Sequence, residues 1–204
     1  FRNGNDAIGT VYTGFIRRYA DGHDGHEQRP CFRGEIIKDA LSEWVADTST
    51  LLIKRKVLLK AGLFDERIRA WQEWDLCIRL SKHGTFDYVN EPLAIYHVHD
   101  GETISKNMRL NADGYMDVVN SHRKDMIKIA GKIAMVKHLK RAGNFYMLIP
   151  ATQDARGCFR QALKIRPFDS NLLFLYLASK IGGHCYKTAM LFDSYYSRIF
   201  YRNG

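Results

Sequence analysis

The sequence predicts an α/β segment followed by an all-α segment. Two patterns carry this expectation. In residues 6–105 short β-rich runs alternate with short helical ones, the signature of a sheet layered with helices. After Ser105 the apolar residues recur only every three or four positions, which is helical spacing. Charge divides at the same place. Residues 1–105 hold 14 Lys+Arg and 16 Asp+Glu, net −2, whereas residues 106–204 hold 17 Lys+Arg, 6 Asp and no Glu, net +11. The domain reading is therefore 1–105 and 106–204.

The elements follow in order. Residues 9–16 are rich in β-branched and aromatic residues and predict a strand. The run ADGHDGHEQRP reads as a turn-rich loop. Residues 35–46 space Ile36, Ile37, Ala40, Leu41 and Trp44 as one helical face. A strand is predicted for TSTLLIKR, then a short helix over 56–61 that stops at Gly62. Residues 71–83 predict a helix ending at Gly84, with Asp75 and Arg79 an acid-before-base pair four apart. Two short strands broken at residues 90–92 follow. Tyr115 to Val136 predicts one long helix that stops near Gly143. Residues 152–166 predict a helix ended by Pro167, with the spacing of one helical-repeat unit. Asp169 or Ser170 is placed to cap the next helix, and a last helix is expected from about Cys185 to Tyr201.

Composition bounds the class. With 204 residues, 46% of them hydrophobic, the chain is long enough to bury a core. Its longest apolar run, residues 172–178, is far short of the ~20 residues that cross a bilayer. The four cysteines, Cys31, Cys77, Cys158 and Cys185, show no zinc or C-x-x-C spacing, so buried free thiols in a reducing, cytoplasmic compartment are expected. A basic half seeks an anionic partner. Its terminal aromatics, among them Tyr186, Phe192, Tyr195 and Phe200, allow contact with an anionic membrane surface. Solvated lysines on a helical cap are the other reading. The aromatics sit at core spacing and no nucleic-acid motif is present, so nucleic acid is not an expected partner.

Two clusters could carry chemistry. On a helix Glu73 and Asp75 project ~200° apart and cannot share one cleft. Asp75 matches Arg79, which leaves Glu73 near the helix N-terminus between Trp71 and Trp74. A carboxylate beside indole faces suits a general base acting on a sugar hydroxyl. An acidic first turn on an ordinary amphipathic helix is the alternative. In the second cluster, His97 and His99 lie on one face of a strand, where they either hold a metal or face solvent. Asp21, His23, Asp24 and His26 lie in a Gly-rich loop and read as turn residues.

The order TSTLLIKRKVLLKAGLFDERIRAWQEWDLCIRLSKHG, then VNEPLAIYHVHDGETIS, resembles the inverting family-two glycosyltransferases of the GT-A fold. Gly62, Phe64, Asp65 and Glu66 match that family's Gly-x-Phe-Asp-Glu turn. Residues 72–76, QEWDL, match its acidic-pair motif, with the catalytic base on Glu73 where the family usually has Asp. His99 matches its late histidine, and residues 103–105 the tail of that segment. The resemblance covers residues 6–105 and begins at the family's middle. It implies the C-terminal half of a GT-A nucleotide-diphospho-sugar transferase domain followed by an all-α helical tail. No Asp-x-Asp occurs in the chain, so most ligands of the implied Mn²⁺ or Mg²⁺ are expected from a nucleotide-binding half, and the chain alone is expected to be inactive.

The implied reaction moves a sugar from a nucleotide-sugar donor to a glycan or lipid-linked acceptor with inversion. In it Glu73 is the base and Asp75 the next candidate. Trp71 and Trp74 line the acceptor side, Thr48 and Ser49 touch the donor, and His99 meets the metal. Placement would be cytoplasmic, peripheral on the inner face of the membrane. The competing class is a non-catalytic helical binding module, or a membrane-surface adaptor, with a degenerate transferase half.

Overall fold

The computed structural model describes residues 7–99, 101, 106–149 and 151–181. The expected last helix, with Cys185 and the terminal aromatics, lies outside these residues, as do residues 103–105. The architecture is mixed α/β, with a four-stranded sheet and eight α-helical segments among the described residues.

The centre of the sheet is β1 (Ile8–Arg18). Along one edge it pairs in parallel with β4 (Thr85–His97). Its other edge is shared, with β3 (Leu51–Ile53) antiparallel to its start and β2 (Asp24–Gln28) antiparallel to its end. Tyr12 of β1 is fully buried. Its hydroxyl donates to Phe32 O (3.0 Å) and accepts the N–H groups of Phe32 (2.8 Å) and Cys31 (3.3 Å). Burial pushes that hydroxyl up to about 12.

Several elements differ from expectation for local physical reasons. β2 lies inside the stretch read as a loop; its residues are mostly exposed and carry no apolar alternation. The strand expected over residues 48–55 is only Leu51–Ile53, because Thr48–Thr50 forms a 3₁₀ turn. The expected helix over 35–46 shortens to α1 (Ile37–Ala40). The two strands expected around Pro92 are one. Tyr12 pairs with Tyr88 and Gly14 with Pro92, so β4 absorbs its extra residues as a bulge where proline has no N–H to offer. Cys77 and Cys158 are buried free thiols, as expected, but Cys31 is exposed.

Helix α2 (Arg55–Ala61) ends at Gly62, whose left-handed backbone (φ 88°) forms the expected stop. Helix α3 (Gln72–Leu80) buries six of its nine residues. The single long helix is broken into α4 (Met108–Ser121), a one-turn α5 (Arg123–Asp125), a π turn (Met126–Ala130) and α6 (Lys132–Leu148). Gly131 makes the break at φ 95°. Gly143 does not end α6. It lies inside that helix, where a Cβ would come within 2.4 Å of the Phe159 ring, so its role is close helix packing. Phe159 belongs to α7 (Thr152–Ile165), and Asp169 caps α8 (Ser170–Ile181) through the Leu172 N–H (3.1 Å).

One cluster of buried residues runs from Tyr12 to Ala178 and joins both segments of the chain. Two buried histidines bind the helices to the rest. His122, at the end of α4, lies 2.7 Å from Asp75, whose second oxygen takes the Arg79 fork at 2.6 and 2.9 Å. Burial disfavours the Asp75 carboxylate, yet the hydrogen bonds from His122 and Arg79 outweigh it and hold the group below the ordinary carboxylate range. An ionised carboxylate only accepts, so His122 Nε2 carries the proton. His138 of α6 lies 2.9 Å from Leu41 O through Nε2, and 2.7 Å from the Tyr115 hydroxyl through Nδ1. A carbonyl only accepts, so Nε2–H donates to Leu41. Burial lowers the His138 pKa and keeps the ring neutral, so Nδ1 accepts from Tyr115.

Two outcomes follow. Gly143→Ala is expected to destabilise by ~1–3 kcal/mol in urea titration, because the Phe159 ring must shift. Asp75→Ala is expected to cost ~3–5 kcal/mol at pH 7, since it strands the buried His122 and the half-buried Arg79. The folded pKa of Asp75 lies below its unfolded value of about 3.9, so its contribution is complete above that value. It is lost as pH falls through the folded pKa, and the gap between wild type and variant should narrow there.

Candidate functional site

A cleft of about 550 Å³ opens where the end of β1, the start of α3 and the helical segment meet. Phe15 and Arg17 come from β1, Trp71, Gln72 and Glu73 from the head of α3, and Tyr96 from β4. Trp44 and Asp47 come from the segment after α1. Asn111 of α4 and Arg141 of α6 complete the wall. The helical segment is therefore part of the site.

Trp71 shapes the entrance. It precedes α3 with left-handed backbone (φ 65°, ψ 22°), a conformation that costs a non-glycine residue ~1–3 kcal/mol. Its surroundings hold it there. The indole N–H donates to Asn111 O (3.0 Å), and the ring meets Trp74 and Tyr115 edge-on at 6.2 and 5.3 Å. Beside it, α4 presses against the chain at Ala70, where a Cβ on Gly114 would approach the Ala70 carbonyl oxygen to 2.7 Å.

Glu73 follows within one turn and lines the cleft. Burial raises its pKa above the usual carboxylate range. Its own backbone N–H works against this, the neighbouring Asp47 adds to it, and a hydrogen bond from the Trp44 side chain opposes it. Asp47 is itself raised by burial, which Arg17 partly offsets. Two carboxyls thus share one partly desolvated cleft with an arginine beside one of them.

The site residues expected from sequence divide clearly. Glu73 and Trp71 line the cleft. Trp74 does not. It is 1% exposed, stacks on Tyr115 at 5.0 Å and donates its indole N–H to Ala40 O at 2.8 Å. Asp75 is buried against His122 and Arg79 on the other side of the helix, as the ~200° separation requires. Thr48 and Ser49 are exposed in the 3₁₀ turn, with Thr48 in a separate shallow depression beside Phe64, Asp65 and Gln72. His99 is exposed, and its Nδ1 accepts from the Gly101 N–H at 3.1 Å. Asp21 and Asp24 are engaged by His23 and Arg18 in the turn and at the start of β2.

Asp47, Trp44, Arg17, Asn111 and Arg141 were not singled out by sequence. Trp44 was visible as an aromatic on a predicted apolar face. Nothing in the sequence marks Arg141, whose position depends on how α6 packs.

Among the described residues no three His, Cys, Asp or Glu side chains converge as a cation would require. The cleft residues and His99 therefore do not form a divalent-ion site by themselves. No helix of the described residues is long and apolar enough to cross a membrane. The chain matches no protein-family model and none of the curated proteins.

A measurement tests the buried carboxyl. The folded pKa of Glu73 lies above its unfolded value of about 4.3, so ionising it works against folding once pH passes that value. Glu73→Gln is expected to leave stability unchanged near pH 3.5. At pH 7.5 it is expected to raise stability by on the order of 1 kcal/mol, read as a Tm increase of a few degrees.

Proposed function

We propose that the chain is part of an inverting, nucleotide-sugar-dependent glycosyltransferase, with the cleft at Glu73 as its acceptor side. One observation supports this most: a partly buried carboxyl of raised pKa faces a cleft walled by Phe15, Trp44, Trp71 and Tyr96. Aromatic faces pack against the C–H faces of sugar rings. A carboxylate made more basic by burial is suited to taking a proton from a hydroxyl. The motif resemblance supports the same residue independently.

In this reading the acceptor sugar lies against the Trp71 and Trp44 rings with one hydroxyl toward Glu73. As that oxygen attacks the anomeric carbon of the donor, its proton passes to Glu73. The donor diphosphate leaves from the opposite face, so the configuration inverts. Asp75 has no part in the transfer and holds α3 in place through Arg79 and His122. The described residues do not by themselves assemble a divalent-ion site, and no step here runs through a metal.

The test is transfer by the intact enzyme. Glu73→Gln is expected to lower kcat by ~10²–10⁴ with the donor KM unchanged. The acid limb of the wild-type pH profile is expected above pH ~4.3, the ordinary value for glutamate, because burial raises the group. Near-normal turnover by the variant would move the base elsewhere. Sugar binding by a wild type that never turns over would favour the non-catalytic binding module.

A further inference from the structure

Arg141 reaches the cleft from α6, in the segment that the motif resemblance does not cover. Its guanidinium lies 5.8 Å from the Trp71 ring centroid, 5.5 Å from Tyr115 and 5.7 Å from Phe145. The Tyr115 hydroxyl gives its own proton to His138. Three rings thus surround the head group, while the residue as a whole stays exposed to solvent.

Its charge is not consumed. Among the described residues Arg141 has no carboxylate partner, whereas Arg18, Arg33, Arg79 and Arg109 each hold one at 3.0 Å or less. The carboxylate that acts on Glu73 is Asp47, and the arginine beside Asp47 is Arg17; Arg141 enters neither balance. The Arg141 fork of N–H donors therefore has no carboxylate partner among the described residues, in a cleft that also holds the Glu73 and Asp47 carboxyls. Guanidinium geometry matches a carboxylate or phosphate in two parallel hydrogen bonds.

We propose that Arg141 receives an acidic group carried by the acceptor, so that the cleft selects an anionic sugar chain over a neutral one. This rests on the sugar-transfer reading of the cleft. The shared chemistry is an oxyanion on or next to the sugar that stacks on Trp71. A uronate carboxylate and a phosphate substituent are its two sources. The position is specificity-determining and takes no part in proton transfer.

Calorimetry on the chain tests this with three tetrasaccharides of one linkage: neutral hexose, the uronic-acid counterpart, and the neutral form carrying one phosphate. An acidic ligand is expected to bind at least tenfold tighter than the neutral one, and whichever acid gives the larger gain identifies the source. Arg141→Gln is expected to abolish the gain, so that neutral and acidic ligands bind alike. Arg141→Lys keeps the charge without the fork and is expected to fall between. Melting curves for both variants check that the helical packing survives, and Glu73→Gln is expected to retain the preference.

Equal binding of neutral and acidic ligands by wild type would overturn the proposal and leave the sugar-site reading standing. An undiminished preference in Arg141→Gln would overturn it as well, placing the anion elsewhere. No binding of any tetrasaccharide by folded wild type would overturn both.

Discussion

The structure depends on the burial of α3 between the sheet and the helices, and the Trp74 ring is what makes that burial specific. A buried indole needs a partner for its N–H. Trp74 finds it in the carbonyl of Ala40 and lays its face on Tyr115. Tyr115 in turn donates to His138, which donates to Leu41, next to Ala40. The circuit closes on itself through four elements. Each member is satisfied only if the others are in place, so the network favours one arrangement of helices over sheet.

Consecutive residues of α3 take three separate tasks from this anchoring. Successive positions on a helix turn by ~100°, so Glu73, Trp74 and Asp75 face three ways. With Trp74 fixed inward, Asp75 meets Arg79 and His122, and Glu73 faces the cleft. The same anchoring holds Trp71 in left-handed backbone at the head of the helix. A strained residue thus stands beside the cleft-lining Glu73 carboxyl, and backbone strain of this kind concentrates at ligand-binding sites.

Legibility in the sequence followed how local each feature is. The stop at Gly62, the cap at Asp169 and the Asp75–Arg79 pair depend on neighbours within four residues, and each was readable. That Glu73 and Asp75 face different ways was readable too, because helix geometry alone separates them. Features set by distant contacts were not. Gly143 looks like a helix terminator until Phe159 arrives from another helix. Trp74 looks like a sugar platform until Tyr115 covers it. The break at Gly131 was hidden because apolar spacing on either side stays in phase with one helix. Asp47 and Arg141 lie 26 and 68 positions from Glu73, and no local pattern joins them.

The placement of Arg141 and Asn111 in the cleft wall gives the helical segment a second meaning. A ligand seated there would touch the sheet side and the helical side together, so it would bind only the docked arrangement. By mass action its binding energy then adds to the docking equilibrium, by ~2.7 kcal/mol at a hundred times its dissociation constant. Occupancy of the cleft would therefore be felt along α6 as far as Gly143, in slower amide exchange on a helix whose far end never meets the ligand. The two segments, opposite in charge and different in architecture, would behave as one cooperative unit when the cleft is filled.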